Sequence, residues 1–189
     1  MSDHSKQLRM TVFASLFAAL VAVGAFISIP IGPVPIVLQN FFVLLCGLIL
    51  GPRWGLAAVA VYLFAGACGL PVFSQGRGGV GHLIGPTGGY LFGYLPAVFV
   101  VGAIARVSGQ RLAGNLAGLI CGSLIVYACG VPWLKFITGM PWPKAMAVGM
   151  LPFLIGDALK IAAALTVAKV LRPIVYRGAA AADENQRAT

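Results

Sequence analysis

The chain has 189 residues, of which 60% are apolar and only 9% are charged, whereas a soluble domain is about 45–50% apolar and about 25% charged. This composition, with a mean hydropathy of +0.97, excludes a disordered chain and a disulfide-stapled secreted module, and it argues against a water-soluble globule. The formal net charge of +9 comes from basic residues that stand singly between apolar runs, which indicates membrane topology and not a nucleic-acid partner. We therefore expect a small, all-α, polytopic protein embedded in membrane lipid.

The apolar segments predict six transmembrane helices in a single membrane domain. A helix needs about 20 apolar residues to cross the roughly 30 Å hydrocarbon layer, and residues 10–29 supply them without a charge. We interpret this first segment as a retained span, because it is longer than the core of a signal peptide and no A-x-A cleavage site follows it. The predicted spans are 10–29, 38–50, 54–70, 87–105, 112–131 and 148–171, and a polar tail occupies 173–189.

The basic residues predict how these spans are oriented. Of the 13 basic residues, nine lie on the same side of the predicted spans as the two termini, three lie on the opposite side, and Lys160 lies inside the last span. The nine are Lys6, Arg9, Arg53, Arg106, Arg111, Lys169, Arg172, Arg177 and Arg187. Because cytoplasmic loops carry the excess of Lys and Arg, we expect both termini in the cytoplasm. Three loops rich in glycine and proline then face the outside together and would cover a pocket. These loops are 30–37, 72–86 and 132–147.

One carboxylate stands out in the last predicted span. Asp157 is the only acidic residue from residue 4 to residue 182, and placing it in a bilayer costs roughly 2.5–3.5 kcal/mol. Lys160 lies three residues further, on the same helix face. The pair is either an internal salt bridge or a polar anchor for a substrate or ion, and we favour the anchor because intramembrane ionisable residues are seldom kept for packing alone. A single carboxylate leaves no pair for acid–base catalysis or for a carboxylate-rich metal site.

The segment 76–90 is rich in glycine. Gly76, Gly78 and Gly81 satisfy G-x-G-x-x-G, but without a preceding strand or a βαβ unit this is not a dinucleotide fingerprint. The sequence also contains no Walker A motif. The glycines around Gly79 either let the backbone approach a ligand closely or form a flexible external turn.

Two further patterns are candidates for contacts. Gln39 and Asn40 stand at the mouth of the second span, and both are unfavourable in lipid unless they face a polar cavity or the headgroups. On the first span, small residues recur at four-residue spacing, which permits close helix packing either within the bundle or against a partner. This stripe consists of Ala14, Ala18 and Ala22.

Three of these stretches resemble the BioY family, whose members are the biotin-specific substrate-binding (S) components of energy-coupling-factor (ECF) vitamin transporters. The resemblance runs from about residue 10 to about residue 172, and the Gly-Pro-Thr-Gly-Gly-Tyr block with Gly-Asp-x-x-Lys is its most specific part. The stretches are Pro35-x-x-x-Gln39, the block from Gly79 to Tyr90, and Pro152-Phe-x-x-Gly-Asp157-x-x-Lys160.

The resemblance implies a six-helix S-component fold, a biotin pocket near the outer face and no cofactor. It also implies a partner module of one transmembrane coupling protein and two ATPase subunits, which would explain the missing P-loop, or self-association where that module is absent. The stripe Ala14/Ala18/Ala22 matches the small-residue motif with which such components dock on the coupling protein. On this ground we expect the stripe to be a docking face.

The chemistry of biotin fits the candidate residues. Its ureido ring offers two N–H donors and one carbonyl acceptor, and its tail ends in a carboxylate. Asp157 would accept from the ureido N–H groups, and Lys160 would either pair with the tail or hold Asp157 in place. The full predicted substrate site is Gln39, Asn40, Gly79, Tyr90, Asp157 and Lys160.

Capture of biotin outside and its release inside is thus the expected role. Two alternatives are a stand-alone secondary transporter coupled to protons through Asp157, and an S component for a different vitamin. A membrane enzyme would need a nucleophile–base pair, and His82 is the only histidine outside the N-terminal tail. We interpret His82 and the three tryptophans as loop and interface residues, and the four cysteines as small packing residues.

Overall fold

Long α-helices make up most of the computed structural model, which describes residues 3–30 and 32–187, with side chains described for 4–30 and 32–176. A short antiparallel hairpin of β1 (Ser28–Ile29) and β2 (Ile36–Val37) follows the first helix, and a 3-10 turn covers Ser74–Gly76. Within the described residues, five helical segments are long and apolar enough to cross a membrane, which confirms an all-α membrane fold. The helices are α1 (Asp3–Phe26), α2 (Gln39–Ala67), α3 (Val80–Leu83), α4 (Gly88–Val107), α5 (Leu112–Thr138), α6 (Trp142–Gly149) and α7 (Leu151–Arg187).

Helix α2 contains the predicted spans 38–50 and 54–70 as two antiparallel halves. Gly51 interrupts it with φ 78° and ψ −177°, in a region that favours glycine. The chain reverses there, because the Gln39 amide donates to the Tyr62 hydroxyl at 2.8 Å, whereas a straight helix would separate these residues by about 35 Å. The two halves and the four other long helices are the six helical segments that the sequence predicts.

Helix α2 is central to the bundle. It packs between α1 and α4, α5 packs against α4, and α7 contacts both α2 and α5. The approach of α4 to the break in α2 depends on Gly102, where a Cβ atom would overlap the backbone of Pro52. The core is apolar except for a few buried polar side chains, which among the described residues are Gln39, Ser74, Asn115, Ser123 and Asp157.

The segment 132–147, predicted as a loop rich in glycine and proline, is helical for most of its length. Helix α5 continues through Pro132 and ends at Gly139, whose left-handed φ of 69° stops it. The short helix α6 follows. The break before the last span falls at Met150, and Pro152 lies in the first turn of α7, where its missing N–H is tolerated.

The first and last helices meet at one end of the bundle. The Arg9 guanidinium donates to the Ile174 carbonyl at 2.8 Å, so both ends of the described chain lie at the same end, as an even number of spans requires. The predicted polar tail 173–189 is helical as far as Arg187, because α7 continues through an alanine-rich stretch and alanine has the highest helix propensity. Residues 188–189 lie outside the described residues.

The structure places the alanine stripe, predicted as a docking face, against the core of the bundle. Ala14 and Ala18 are only 7% and 8% exposed and belong to the core, and Ala22 packs against that core. In this position the small side chains permit the close approach of α1 to α2, and a docking role of the stripe stays a prediction. The exposed face of α1 instead carries larger side chains: Leu8, Val12, Leu16, Leu20 and Val23.

Candidate substrate-binding cavity

A cavity opens among α2, α4, α5 and α7, next to the β-hairpin. Its empty volume, with the open mouth included, is about 640 Å³. Apolar side chains such as Leu91, Val126 and Phe153 form much of its wall. Five of the six predicted substrate-binding residues line it: Gln39, Asn40, Tyr90, Asp157 and Lys160.

Asp157 is the centre of the polar part of this cavity and joins three helices. The Asn40 amide of α2 donates to its Oδ1 at 2.8 Å, and the Tyr127 hydroxyl of α5 donates to its Oδ2. Lys160 of α7 places its Nζ 3.2 Å from Oδ1. Asp157 is only 6% exposed, so these three donors stabilise a carboxylate that is largely removed from solvent.

Lys160 has all three of its ammonium donors engaged. Besides Asp157, its Nζ lies 2.9 Å from the Val37 carbonyl and 2.9 Å from the Asn40 side-chain oxygen. An ammonium has three N–H groups and no acceptor. Lys160 therefore orients Asp157 and Asn40. On Asp157, Oδ1 accepts two hydrogen bonds and Oδ2 only one, which leaves acceptor capacity on Oδ2.

Gln39 and Tyr90 are also held by hydrogen bonds. The Gln39 amide donates to the Tyr62 hydroxyl, which donates onward to the Val72 carbonyl at 3.2 Å. The Tyr90 hydroxyl donates to the Gly149 carbonyl at 2.8 Å and so fastens α4 to α6. The Tyr90 hydroxyl is thus used by the fold, and its ring remains available to the cavity.

Several polar residues of the cavity wall were not predicted. Those on the long helices are Tyr94 on α4, and Ser123 and Tyr127 on α5. The Ser123 hydroxyl is buried and has no hydrogen-bond partner among the described residues. A signal for all three existed, because Tyr90 and Tyr94, and likewise Ser123 and Tyr127, are four residues apart and share a helix face.

Gly79 does not line the cavity, contrary to the prediction. Its N–H donates to the Gly66 carbonyl at 2.7 Å and is therefore not free for a ligand. Its φ of 88° places it in the left-handed region, at the residue that precedes α3. The turn requires this glycine.

His82 lines the cavity, although it was interpreted as a loop residue. Its ring stacks on Phe73 with centroids 5.1 Å apart, and its Nε2 lies 3.3 Å from the Thr87 hydroxyl. Burial, and then the positive charge of Arg77, lowers the pKa of His82 below its usual value of 6.5. The imidazole is therefore neutral at physiological pH.

A vestibule adjoins the cavity on the loop side. It shares Pro35, Ser74, His82 and Thr87 with the cavity wall and adds Arg77. Arg77 is exposed, so the entrance carries a positive charge.

Among the described residues, no three His, Cys, Asp or Glu side chains come together as a metal site would require.

The sequence pattern of the BioY family matches residues 1–177 of this chain. The chain belongs to the BioY family. It is 44% identical over 167 residues to the biotin transporter BioY of Thermotoga maritima, and this alignment covers 88% of this chain and 98% of that protein. It is 37% identical over 174 residues to the biotin transporter BioY of Rhizobium etli, with 86% and 92% covered.

The fold agrees with this membership. The structure is similar to a crystal structure of the S-component for biotin from an ECF-type ABC transporter, with a TM-score of 0.84, 29% identity, and 91% of this chain and 94% of that chain covered. The chain is thus a multi-pass membrane protein with the fold of an ECF S-component.

The three sequence stretches that resemble the BioY family meet in the cavity. Gln39 comes from the first stretch, Tyr90 from the second, and Asp157 and Lys160 from the third, and all four line the same wall. They are distant in the sequence, and the packing of α4 and α7 against α2 brings them together. The three family stretches therefore converge on one cavity.

Proposed function

We propose that this chain binds biotin in the cavity and is the substrate-binding subunit of an ECF-type transporter. The observation that carries the proposal is the convergence of the three BioY stretches on one cavity, with Asp157 at its polar end. The names of the relatives and of the matching crystal structure, all of which refer to biotin, support the same ligand.

The ureido ring of biotin binds at Asp157. Oδ2 of Asp157 can accept one more hydrogen bond, which one ureido N–H supplies as a charge-assisted bond. The Ser123 hydroxyl, buried without a partner, lines the same cavity and offers a second polar contact to the ring. Binding of biotin thus satisfies a polar atom that is otherwise buried and unpaired.

The valerate tail points toward the vestibule. Of the two roles left open for Lys160, the geometry supports the positioning of Asp157, because its three donors are already engaged. Arg77 in the vestibule provides the cation for the tail carboxylate instead. The bicycle between these two ends rests on the rings of Tyr90, Tyr94 and Phe153.

The remaining components come from other chains. The sequence has no Walker A motif, so two ATPase subunits and a transmembrane coupling protein would supply the energy. The excess of basic residues on the side of the termini supports an orientation with both termini in the cytoplasm of a prokaryotic cell and the cavity mouth outside. The membrane is then the cytoplasmic membrane.

Titration of detergent-purified protein with radiolabelled biotin tests the ligand. We expect saturable binding of biotin. Desthiobiotin should compete with it, because desthiobiotin keeps the ureido ring and the tail, whereas thiamine and riboflavin should not compete. Absence of saturable binding by folded protein would overturn the proposal. Competition by thiamine or riboflavin at similar concentrations would indicate that a different vitamin is the ligand.

Uptake by cells tests the transport mechanism separately. We expect biotin uptake to require the ATPase and coupling subunits and to be insensitive to collapse of the proton gradient while ATP is present. Uptake that needs only this chain and follows the proton gradient would favour secondary transport through Asp157 instead.

A further inference from the structure

Two adjoining cavities lie at the end of the bundle opposite the substrate cavity. One has an empty volume of about 930 Å³ and is lined by the break in α2 and by the end of α4, and the other, of about 710 Å³, lies beside α7. They share Gln110 and Tyr176 and so form one cleft. Because 19 residues of α7 separate Asp157 from Tyr176, the cleft lies about 28 Å from the substrate site along the helix. We call it the basal cleft.

The basal cleft is strongly basic. Four cations line it: Arg53, Arg106, Lys169 and Arg172. Arg172 is committed to the fold, since its guanidinium donates to the Leu48 carbonyl at 2.7 and 3.1 Å. Arg53, Arg106 and Lys169 are exposed and make no hydrogen bond or ion pair with the side chains and backbone that the structure describes. No carboxylate is among the described residues of the cleft wall.

Apolar surface flanks these cations. Val107, next to Arg106, is 90% exposed. The half-buried side chains of Trp54 and Pro173 line the cleft itself, next to Arg53 and Arg172. Tyr176 is also exposed at the cleft, at the level where aromatic side chains meet headgroups. A ligand that suits both features carries a negative charge and acyl chains.

We propose that the basal cleft binds the phosphate of an anionic phospholipid of the inner leaflet, with its acyl chains along Val107 and the Trp54 ring. Basic pockets between transmembrane helices on the cytoplasmic side bind such headgroups, and each basic residue near an anionic surface contributes about a factor of five in affinity. A free phosphate would satisfy the cations but would leave the flanking apolar surface unused, so the structure favours the lipid. This inference is independent of the bound vitamin.

Native mass spectrometry of detergent-purified protein with phosphatidylglycerol or phosphatidylcholine of matched chains tests the site. We expect phosphatidylglycerol to bind more tightly, and R53Q/R106Q to weaken its binding roughly 25-fold. The matched control is K135Q/K144Q, which removes two cations at the other end of the bundle and should leave lipid binding unchanged. Unchanged thermal melting of both double variants verifies that they fold.

Three results would overturn the proposal. Equal binding of the two lipids would show that the anionic headgroup is not recognised. Equal binding of phosphatidylglycerol by R53Q/R106Q and the parent would place the lipid elsewhere. Complete displacement of phosphatidylglycerol by inorganic phosphate would assign the cleft to a soluble phosphate compound.

Discussion

The Tyr127 hydroxyl donates a hydrogen bond to the Asp157 carboxylate and thereby joins α5 to α7 inside the substrate cavity. Asn40 completes the connection from α2, since its amide donates to the other carboxylate oxygen at 2.8 Å. The carboxylate therefore positions three helices and offers its remaining acceptor capacity to a ligand. The same residue serves both the packing of the bundle and the proposed binding of biotin.

Asp157→Asn is expected to weaken biotin binding by about 10- to 100-fold, because a hydrogen bond to a charged group contributes about 1.5–3 kcal/mol. The variant should also melt at a lower temperature, because Lys160 loses its counter-charge in a site where it is only 12% exposed. Equilibrium binding of radiolabelled biotin and thermal melting in detergent measure the two effects. Undiminished affinity would show that Asp157 does not contact the ligand.

The double variant Asp157→Asn/Lys160→Met separates these two effects. Removing both charges eliminates the uncompensated ammonium, so the melting temperature should recover toward that of the parent. Biotin binding should stay weak, since the charged acceptor is still absent. Recovery of binding together with stability would mean that Asp157→Asn acts through folding alone.

Tyr127→Phe is expected to weaken biotin binding several-fold, because Asp157 loses the donor that orients its Oδ2. Tyr176→Phe is the matched control, since its hydroxyl bonds the Ile49 carbonyl at 2.9 Å at the opposite end of the bundle. That variant should bind biotin like the parent. Equal losses in both variants would indicate general destabilisation and not a local role of Tyr127.

Much of the fold could be predicted from hydropathy, because a membrane span must be long and apolar and the breaks between spans are rich in glycine and proline. The reversal at Gly51-Pro52 is an example. Proline lacks the backbone N–H that a helix interior requires, and Gly51 adopts a φ of 78°, which lies outside the helical region. Asp157 and Lys160 could be predicted for a related reason: charges in lipid are unfavourable and therefore conspicuous.

The rotation of each helix could not be predicted. Helix α1 is apolar on most of its surface, so periodicity does not indicate whether Ala14 and Ala18 or Leu16 and Val23 face the core. The same ambiguity concealed Ser123 and Tyr127, whose facing direction is fixed only by the packing of α5 against α4 and α7. The role of Gly79 depends on a loop hydrogen bond to Gly66 that no local pattern indicates.

Gly130→Ala is expected to lower both stability and biotin affinity. A Cβ atom there would overlap the ring of Tyr90, and overpacking of this kind costs about 1–3 kcal/mol, more than the helix propensity that alanine contributes. The control is Gly156→Ala, where a Cβ meets no atom within 4 Å and stability should rise by up to about 1 kcal/mol. Thermal melting with and without biotin checks both variants, and a stabilised Gly130→Ala would contradict the packing of Tyr90.

His82 is expected to make stability depend on pH. Its pKa in the folded protein lies below 6.5 because of burial and Arg77, whereas the unfolded chain takes up the proton at about 6.5. Stability is therefore fully present above about pH 6.5 and falls as the pH drops toward the folded pKa. Melting temperatures measured across this range should fall less steeply for His82→Gln. An unchanged slope in His82→Gln would assign the pH dependence to other groups.

Ala18→Trp is expected to destabilise the protein, because Ala18 is 8% exposed and packs in the core, where a large side chain has no space. Leu16→Trp, two residues earlier on the exposed face of the same helix, should melt and bind biotin like the parent. Comparing the two variants in purified protein, before any uptake assay, distinguishes a packing role from a docking role of the alanine stripe. If Ala18→Trp instead folds and binds biotin normally but fails in uptake, the stripe is a partner surface after all and the packing of α1 in the structure is not the one used in the transporter.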